Sequence, residues 1–126
     1  MKRDLDLIRK IMLAVEENTT GKIDIYQLAD TLDTSPDYLF YQITLLKEAD
    51  LVIAHGGVYA LTPRTRKYET FCIYRLTFKG HDYLDSIRNE KVWFEIKNKL
   101  VLAGGTTTLD IVKELGISIT KRLLGL

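Results

Sequence analysis

The chain has 126 residues, of which 46% are apolar and 28% charged, a composition typical of a soluble globular protein with a real core. The 18 Lys and Arg residues against 17 Asp and Glu leave a net charge of +1, so attraction to nucleic acid must come from a local patch. A single cysteine, Cys72, excludes an internal disulfide framework and is typical of a cytoplasmic protein. The charged opening residues and short apolar runs predict neither a signal peptide nor a membrane span.

Three helices are predicted in the first part of the chain. The first spans about residues 4–17, where apolar residues follow helical spacing. A second begins at Asp24, with Gln27 at the capping-box spacing, and stops near Asp33. Ser35 and Pro36 form the clearest helix start, because Ser caps and Pro suits the first helical position. This third helix continues to about Ala49.

Strand-like composition follows, and then helix returns. We expect strands over 51–54, 58–62 and 71–78, with a turn at 55–57. Pro63 and the basic run 64–67 would form the tip between the two longer strands. Further helices are predicted over 81–87 and 92–102, with a last helix from residue 107 or 108 to about 124.

This order indicates an α+β, mainly helical fold: a winged helix-turn-helix with a C-terminal helical extension. We expect one domain over 1–126, with the helix-turn-helix and wing in 1–79 and the extension in 80–126. Residues 28–52 fit the helix-turn-helix template without gaps. Asp50 stands where that template usually has Gly, and Asp tolerates a left-handed helix end almost as well.

The outward face of the third helix bears on DNA reading. DNA-reading helices present Arg, Lys, Asn, Gln or small polar side chains to base edges. Only two of the outward candidates, Gln42 and Thr44, suit this role. A second stripe, formed by Tyr38, Tyr41 and Leu45, is either covered by the C-terminal helices or a surface for a protein partner.

Charge is unevenly distributed along this part of the chain. Residues 18–50 have two cations and six carboxylates, a net −4, whereas residues 51–79 have five cations and one carboxylate, a net +4. A phosphate backbone would be repelled by the first segment and attracted by the second. Arg64, Arg66 and Lys67 at the wing tip can contact phosphates or enter a minor groove, or they simply keep a hairpin tip solvated.

No pattern of catalytic residues stands out, so we expect a protein that is not an enzyme and has no cofactor. His81 and Asp85 lie four residues apart but lack a third metal ligand nearby in sequence. Cys72 lies in an apolar strand, as a small buried residue does. The two Gly-Gly pairs lack the Lys and the spacing of a phosphate-binding loop.

The last helix has apolar residues on more than one side. Leu109, Val112, Gly116, Ile119 and Leu123 alternate three and four apart, as in a heptad seam. Ile111, Leu115 and Ile117 make other faces apolar as well. Either this helix folds back on its own chain, or it also joins a homodimer, which we slightly favour.

Several runs resemble a family of small proteins built on a domain of unknown function, common in Gram-positive bacteria and their prophages. They are MKRDLDLIRKIML at residues 1–13, RLTFKGHDYLDSIR at 75–88, Val92-Trp93, and Leu123-Leu124-Gly125-Leu126. The family usually has Gly at the position of Asp50. The resemblance implies a winged-helix-like fold and a bacterial or phage source, without a function.

Two functions follow from the sequence. The first is a DNA-binding, transcription-regulator-like protein, with Arg64, Arg66 and Lys67 on phosphates of double-stranded DNA and Gln42 or Thr44 near bases. The alternative is a protein-interaction adaptor of a mobile element, which docks through Tyr38, Tyr41 and Leu45 without binding DNA.

Overall fold

The computed structural model describes residues 1–126 and shows a mainly helical α+β protein with six helices and one three-stranded antiparallel sheet. In chain order the elements are α1 (Leu5–Glu17), β1 (Ile23–Asp24), α2 (Ile25–Thr31), α3 (Pro36–Glu48), β2 (Val52–His55), β3 (Cys72–Leu76), α4 (Phe78–Ile87), α5 (Glu90–Val101) and α6 (Leu109–Leu123). Two units are compact, Met1–Gly80 and His81–Leu126. No helix combines the length and the apolar character that a membrane crossing requires.

The helix starts that the sequence predicts are confirmed by their caps. The Asp24 carboxylate accepts hydrogen bonds from the backbone N–H groups of Tyr26 and Gln27. Ser35 Oγ accepts one from the Tyr38 N–H, with Pro36 in the first helical position. Thr108 caps α6 in the same way. Each cap satisfies N–H groups that lack a partner in the first turn of a helix.

Two aspartates end helices of the first unit in the left-handed conformation. Asp50 has φ 59°, and the Leu51 N–H donates to the Leu46 carbonyl at 2.9 Å, as in a Schellman motif. The expected tolerance of Asp at this position is therefore confirmed. Asp33 ends α2 in the same way with φ 51° and turns the chain into α3.

The sheet has the strand order β1-β3-β2. Its central strand pairs with β1 through Ile23 and Ile73, and with β2 from Val52 opposite Leu76 to His55 opposite Cys72. A bulge lies in the second ladder, next to Ile53 and Ala54. The sequence did not predict β1, because a strand of only two residues shows no alternation.

The predicted strand over 58–62 is wrong, since β2 connects to β3 through an irregular segment, here called the β2–β3 loop (residues 56–71). Gly56 has φ 141°, and a Cβ there would overlap the backbone of Phe71. This close approach needs glycine. Backbone hydrogen bonds then join Tyr59 to Lys67 and close a turn between Thr62 and Thr65.

The core of the first unit lies between its three helices and the sheet. The helices and β3 contribute side chains that are fully or almost fully buried: Ile8, Ile11, Met12, Leu28, Leu39, Ile43, Leu46 and Ile73. Burial of each large aliphatic side chain contributes about 1.5–3 kcal/mol. This packing holds α2, α3 and the two ends of the β2–β3 loop in one rigid frame.

In the second unit, α6 packs against α5. Val112, Gly116 and Ile119, the middle of the expected heptad seam, are buried by their own chain. A Cβ at Gly116 would overlap the Ser86 carbonyl oxygen, so α4 and α6 approach closely there. Intramolecular packing therefore covers the middle of this seam, and the expected homodimer through the last helix stays a prediction. Ile111 and Ile117 lie on other faces and are exposed.

Candidate nucleic-acid interface

The β2–β3 loop is fastened to α2 and α3 by one aromatic side chain, Tyr68. Only 3% of Tyr68 is exposed, and its ring stacks on Phe40 of α3 with centroids 4.6 Å apart. Its backbone N–H donates to the Tyr26 hydroxyl of α2 at 2.9 Å. The loop thus lies against both helices, and the basic residues before Tyr68 lie beside the outward surface of α3.

A second aromatic residue, Phe71, closes the end of the loop. Its side chain is 2% exposed and meets the Phe40 ring edge-to-face at 4.9 Å. The Lys47 ammonium lies 5.7 Å from the centroid of the Phe71 ring, within cation–π range. Phe40 therefore contacts both aromatic side chains that fix the loop.

Lys67 lies beside a carboxylate of α3. Its ammonium is 3.0 Å from Asp37 Oδ1, and the Tyr68 hydroxyl donates a short hydrogen bond to the same oxygen. These hydrogen bonds, first from Tyr68 and then from Lys67, lower the pKa of the Asp37 carboxyl. Asp37 in turn raises the pKa of the Lys67 ammonium, while burial and the Asp37 hydrogen bond raise the pKa of Tyr68. At neutral pH the pair is ionised and Tyr68 is neutral.

Arg66 has two partners. Its guanidinium binds Glu69 at 2.8 Å and lies 4.0 Å from the centroid of the Tyr26 ring. The hydrogen bond to Glu69 raises the pKa of Arg66 and lowers that of Glu69. More than half of the Arg66 side chain stays accessible, at 54%, so an approaching anion can still reach it.

Arg64 lies at the loop tip. Thr62 Oγ1 accepts hydrogen bonds from the N–H groups of Arg64 and Thr65, which shapes the turn. The Arg64 side chain is exposed and belongs to none of the ion pairs of this surface. Of the three predicted wing cations, Arg64 is therefore the one without a carboxylate partner in its own chain.

The expectation that Gln42 faces outward is wrong. Gln42 is fully buried, its Oε1 accepts from the Asp4 N–H, and its Nε2 donates to the Lys2 carbonyl, both at 2.8 Å. The side chain holds the segment before α1 against α3, and its burial keeps it from any base edge. Sequence periodicity missed this position because the chain before α1 covers a face that a lone helix would expose.

Thr44 is half-buried on the outward side of α3. Its hydroxyl donates to the Phe40 carbonyl at 2.8 Å, as helical threonines do, and keeps its acceptor capacity. Asp37 and Glu48 are exposed on the same helix. The outward side of α3 therefore presents one small polar group between two carboxylates.

The stripe of Tyr38, Tyr41 and Leu45 is half-buried throughout. The Tyr38 hydroxyl donates to Asp4 Oδ2 at 2.9 Å, and this hydrogen bond raises the pKa of Tyr38. Tyr38 thus acts with Gln42 in holding the start of α1. Tyr41 and Leu45 take no part in that network.

No group of three or more histidine, cysteine or carboxylate side chains is positioned to hold a metal ion. His81 and Asp85 are both exposed on α4, and Asp85 pairs with Arg88 at 2.9 Å. Cys72 is half-buried in β3 and forms no disulfide. His81 and Asp85 belong to the second unit, and Cys72 belongs to β3.

Several residues of this surface were missed from the sequence. Four of them position the basic loop, namely Tyr26, Phe40, Tyr68 and Phe71, and Glu69 neutralises one of its cations. The available signal was the density of aromatic residues on either side of the basic run. It could not show that aromatic side chains 28 to 42 positions apart meet.

Comparison with known proteins assigns the chain to a family. Residues 2–106 match the family described as hypothetical protein DUF2513. An uncharacterised protein of Haemophilus influenzae is 29% identical to the chain over 126 residues, covering 98% of this chain and 99% of the relative. No solved structure matches the chain. The match over most of its length shows that the chain belongs to the DUF2513 family.

Proposed function

We propose that the first unit is a winged helix and that the chain binds double-stranded DNA, as a transcription-regulator-like protein of a bacterial or prophage genome. The element order α1-β1-α2-α3-β2-β3 and the strand order β1-β3-β2 support the winged-helix assignment. In this assignment α2 and α3 are the helix-turn-helix, and the β2–β3 loop is the wing. Fold alone does not establish a function, so the proposal of DNA binding rests on the charged surface of α3 and the β2–β3 loop.

The observation that carries the proposal is the position of the basic loop beside α3. Tyr68 and Phe71 fasten the loop to Phe40 of α3, so that Lys67 lies next to α3 and Arg66 lies over Tyr26 of α2. All three cations are exposed. Exposed ion pairs are worth only about 0–1 kcal/mol, so a phosphate can replace Asp37 or Glu69 at small cost.

The same surface favours contacts with phosphates over reading of bases. Gln42 is buried, and the carboxylates of Asp37 and Glu48 would repel a phosphate backbone. Thr44 is the remaining predicted base contact, and a single hydroxyl discriminates bases weakly. We therefore expect weak, mainly sequence-independent binding, with Kd values of roughly 10⁻⁴–10⁻⁶ M.

Fluorescence anisotropy with random duplex DNA tests the proposal. Each phosphate contact contributes about −0.9 to the slope of log K against log salt concentration, so three cations give about −2.7. Alanine at all of Arg64, Arg66 and Lys67 should abolish binding. A matched control replaces three lysines of the second unit, Lys91, Lys99 and Lys113, and should bind normally. The proposal is wrong if the protein fails to bind at low salt, or if the two triple variants bind equally.

A second candidate function is docking of a protein partner on α3. The observation that favours it is that Tyr41 and Leu45 lie outside the Asp4 network, on a helix with exposed carboxylates at Asp37 and Glu48. A partner segment with basic and apolar side chains would fit this surface. Tyr41→Asp should weaken the binding of such a partner and leave DNA binding intact. The triple loop variant should lose DNA binding and still bind the partner.

A further inference from the structure

The outer face of α6 has opposite charges at its two ends. The face is therefore complementary to a second copy of itself that runs in the opposite direction. Glu114 and Lys121 are exposed on this face, seven residues apart, with Ile117 and Ser118 between them. Ile117 is 39% exposed, and two apolar residues, Ile111 and Leu124, lie further out toward the two ends at 46% and 69% exposure. Ile111 and Leu124 flank the row of Glu114 and Lys121 on opposite sides, and the exposed Asp110 lies one turn before Glu114.

The shape of this face, with grooves on both sides of Ile117, allows a second helix to pack against it. Ile117 lies between two grooves, of about 530 Å³ and 430 Å³, and contributes to the lining of both. Glu114, Ser118 and Lys121 line the first groove, and Asp85 and Thr120 line the second. A ridge between grooves is the surface that helix–helix packing uses, because the ridge of each helix enters a groove of the other.

The charges select the orientation of that second helix. A helix has 3.6 residues per turn, so Glu114 and Lys121 lie two turns apart on one side. In an antiparallel pair centred between Ile117 and Ser118, Glu114 of each chain faces Lys121 of the other. A parallel pair would instead place like charges together, which is destabilising.

Neither charged residue has a competing ion pair in its own chain. Two ion pairs of the second unit join Arg88 to Asp85 and Arg122 to Glu95, and the latter is short, at 2.6 Å. Glu114 and Lys121 are absent from these pairs and also too far apart along the helix to pair with each other. They are therefore available to a second chain.

We propose that two copies of the chain associate through the outer faces of α6, antiparallel, with reciprocal Glu114–Lys121 ion pairs on either side of Ile117. This face differs from the Val112–Gly116–Ile119 seam, which is buried. One helix face is smaller than the roughly 1,600 Å² of a standard interface, so the dimer is weak and concentration-dependent. The proposal does not depend on DNA binding.

Analytical ultracentrifugation of the full chain, from about 10 to 500 µM at low salt, tests the proposal through the dimer dissociation constant. Glu114→Lys and Lys121→Glu each place like charges opposite one another twice, and should weaken the dimer about tenfold or more. The double variant Glu114→Lys/Lys121→Glu restores both pairs with the net charge of the wild type, and should recover the wild-type constant.

Two controls keep the result specific to this face. Lys91→Glu, on exposed α5 surface, makes the same charge change as Lys121→Glu and should leave the dimer unchanged. Far-UV circular dichroism checks that every variant keeps its helices. A monomer at all concentrations overturns the proposal, and so does a double variant that stays as weak as the single ones.

Discussion

The ammonium of Lys67 lies 3.0 Å from Oδ1 of Asp37, the same oxygen to which the Tyr68 hydroxyl donates. One carboxylate of α3 thus binds two consecutive residues of the β2–β3 loop, across 30 positions of sequence. Asp37 stands where a DNA phosphate would meet Lys67 in the proposed function. The free protein therefore neutralises part of its own basic surface.

Replacing Asp37 should strengthen DNA binding. Asp37→Asn removes a charge that repels phosphate and frees Lys67, and we expect affinity for random duplex to rise about threefold to tenfold at low salt. The measurement is the anisotropy titration at two salt concentrations. Asp82→Asn, at an exposed carboxylate of the second unit, is the control and should have no effect. Unchanged or lower affinity of Asp37→Asn would show that Lys67 does not contact DNA.

Tyr68 should contribute strongly to the stability of the first unit. Tyr68→Ala removes a buried ring stacked on Phe40 and should cost about 3 kcal/mol in the free energy of unfolding. Tyr68→Phe keeps the ring but loses the hydrogen bond to Asp37, and should cost about 1 kcal/mol. Urea unfolding followed by far-UV circular dichroism measures both.

The control for these variants is Tyr59→Ala in the same loop. Tyr59 is 43% exposed, and its removal should change stability by no more than about 0.5 kcal/mol. If Tyr68→Ala lowered the free energy of unfolding by as little as Tyr59→Ala, the Tyr68 ring would not be what fastens the loop.

Gln42 should prove structural. Gln42→Leu leaves the Asp4 N–H and the Lys2 carbonyl without their partner, which should cost about 1–3 kcal/mol. Hydrogen exchange at the Asp4 amide should accelerate, while DNA affinity at a temperature where the variant is folded should stay the same. Gln27→Leu, at an exposed position of α2, is the comparison. A loss of DNA affinity without loss of stability would return Gln42 to the role of a base contact.

The contact of the loop with Asp37 should depend on pH at both extremes. Asp37 has a lowered pKa in the folded protein, so its contribution is full above about pH 4, the unfolded value, and is lost as pH falls through the folded pKa. Tyr68 has a raised pKa, so its contribution is full below about pH 10 and is lost as pH rises through the folded pKa.

The amide resonances of Lys67 and Tyr68 report this contact by NMR. We expect them to be constant between about pH 5 and pH 9 and to shift outside that window. Asp37→Asn should abolish the acid transition, and Tyr68→Phe should remove the contribution of the tyrosine to the alkaline one, leaving that of Lys67. Identical acid transitions in wild type and Asp37→Asn would assign the change to another carboxylate.

Glycine at position 50 should stabilise the protein. Asp50 has φ 59°, a conformation that costs a residue with a side chain more than it costs glycine. We expect Asp50→Gly to raise the free energy of unfolding by about 0.5 kcal/mol and Asp50→Ala to lower it by about 1 kcal/mol. The Asp50 carbonyl, which accepts from Thr77 at 2.5 Å, is backbone and survives both changes. The opposite order in urea unfolding would contradict the left-handed end of α3.

The local features of this protein follow from its sequence alone. The caps at Asp24 and Ser35, the helix start at residue 107 or 108 and the left-handed Asp50 are all confirmed. A cap joins groups within three residues of each other, and a helix end depends on one backbone angle, so neighbouring residues suffice to determine them. The mainly helical α+β class follows for the same reason, since apolar periodicity reports one element at a time.

Only the tertiary structure decided where the candidate site residues lie and what they contact. Gln42 is buried because a segment 38 residues away covers it, and Lys67 meets Asp37 across 30 residues. Residues 58–62 form no strand, and the Tyr59 N–H donates instead to the carbonyl of Lys67, eight residues further along the chain. Periodicity shows which side chains share a face of one element, whereas burial and ion pairing depend on which other element meets that face.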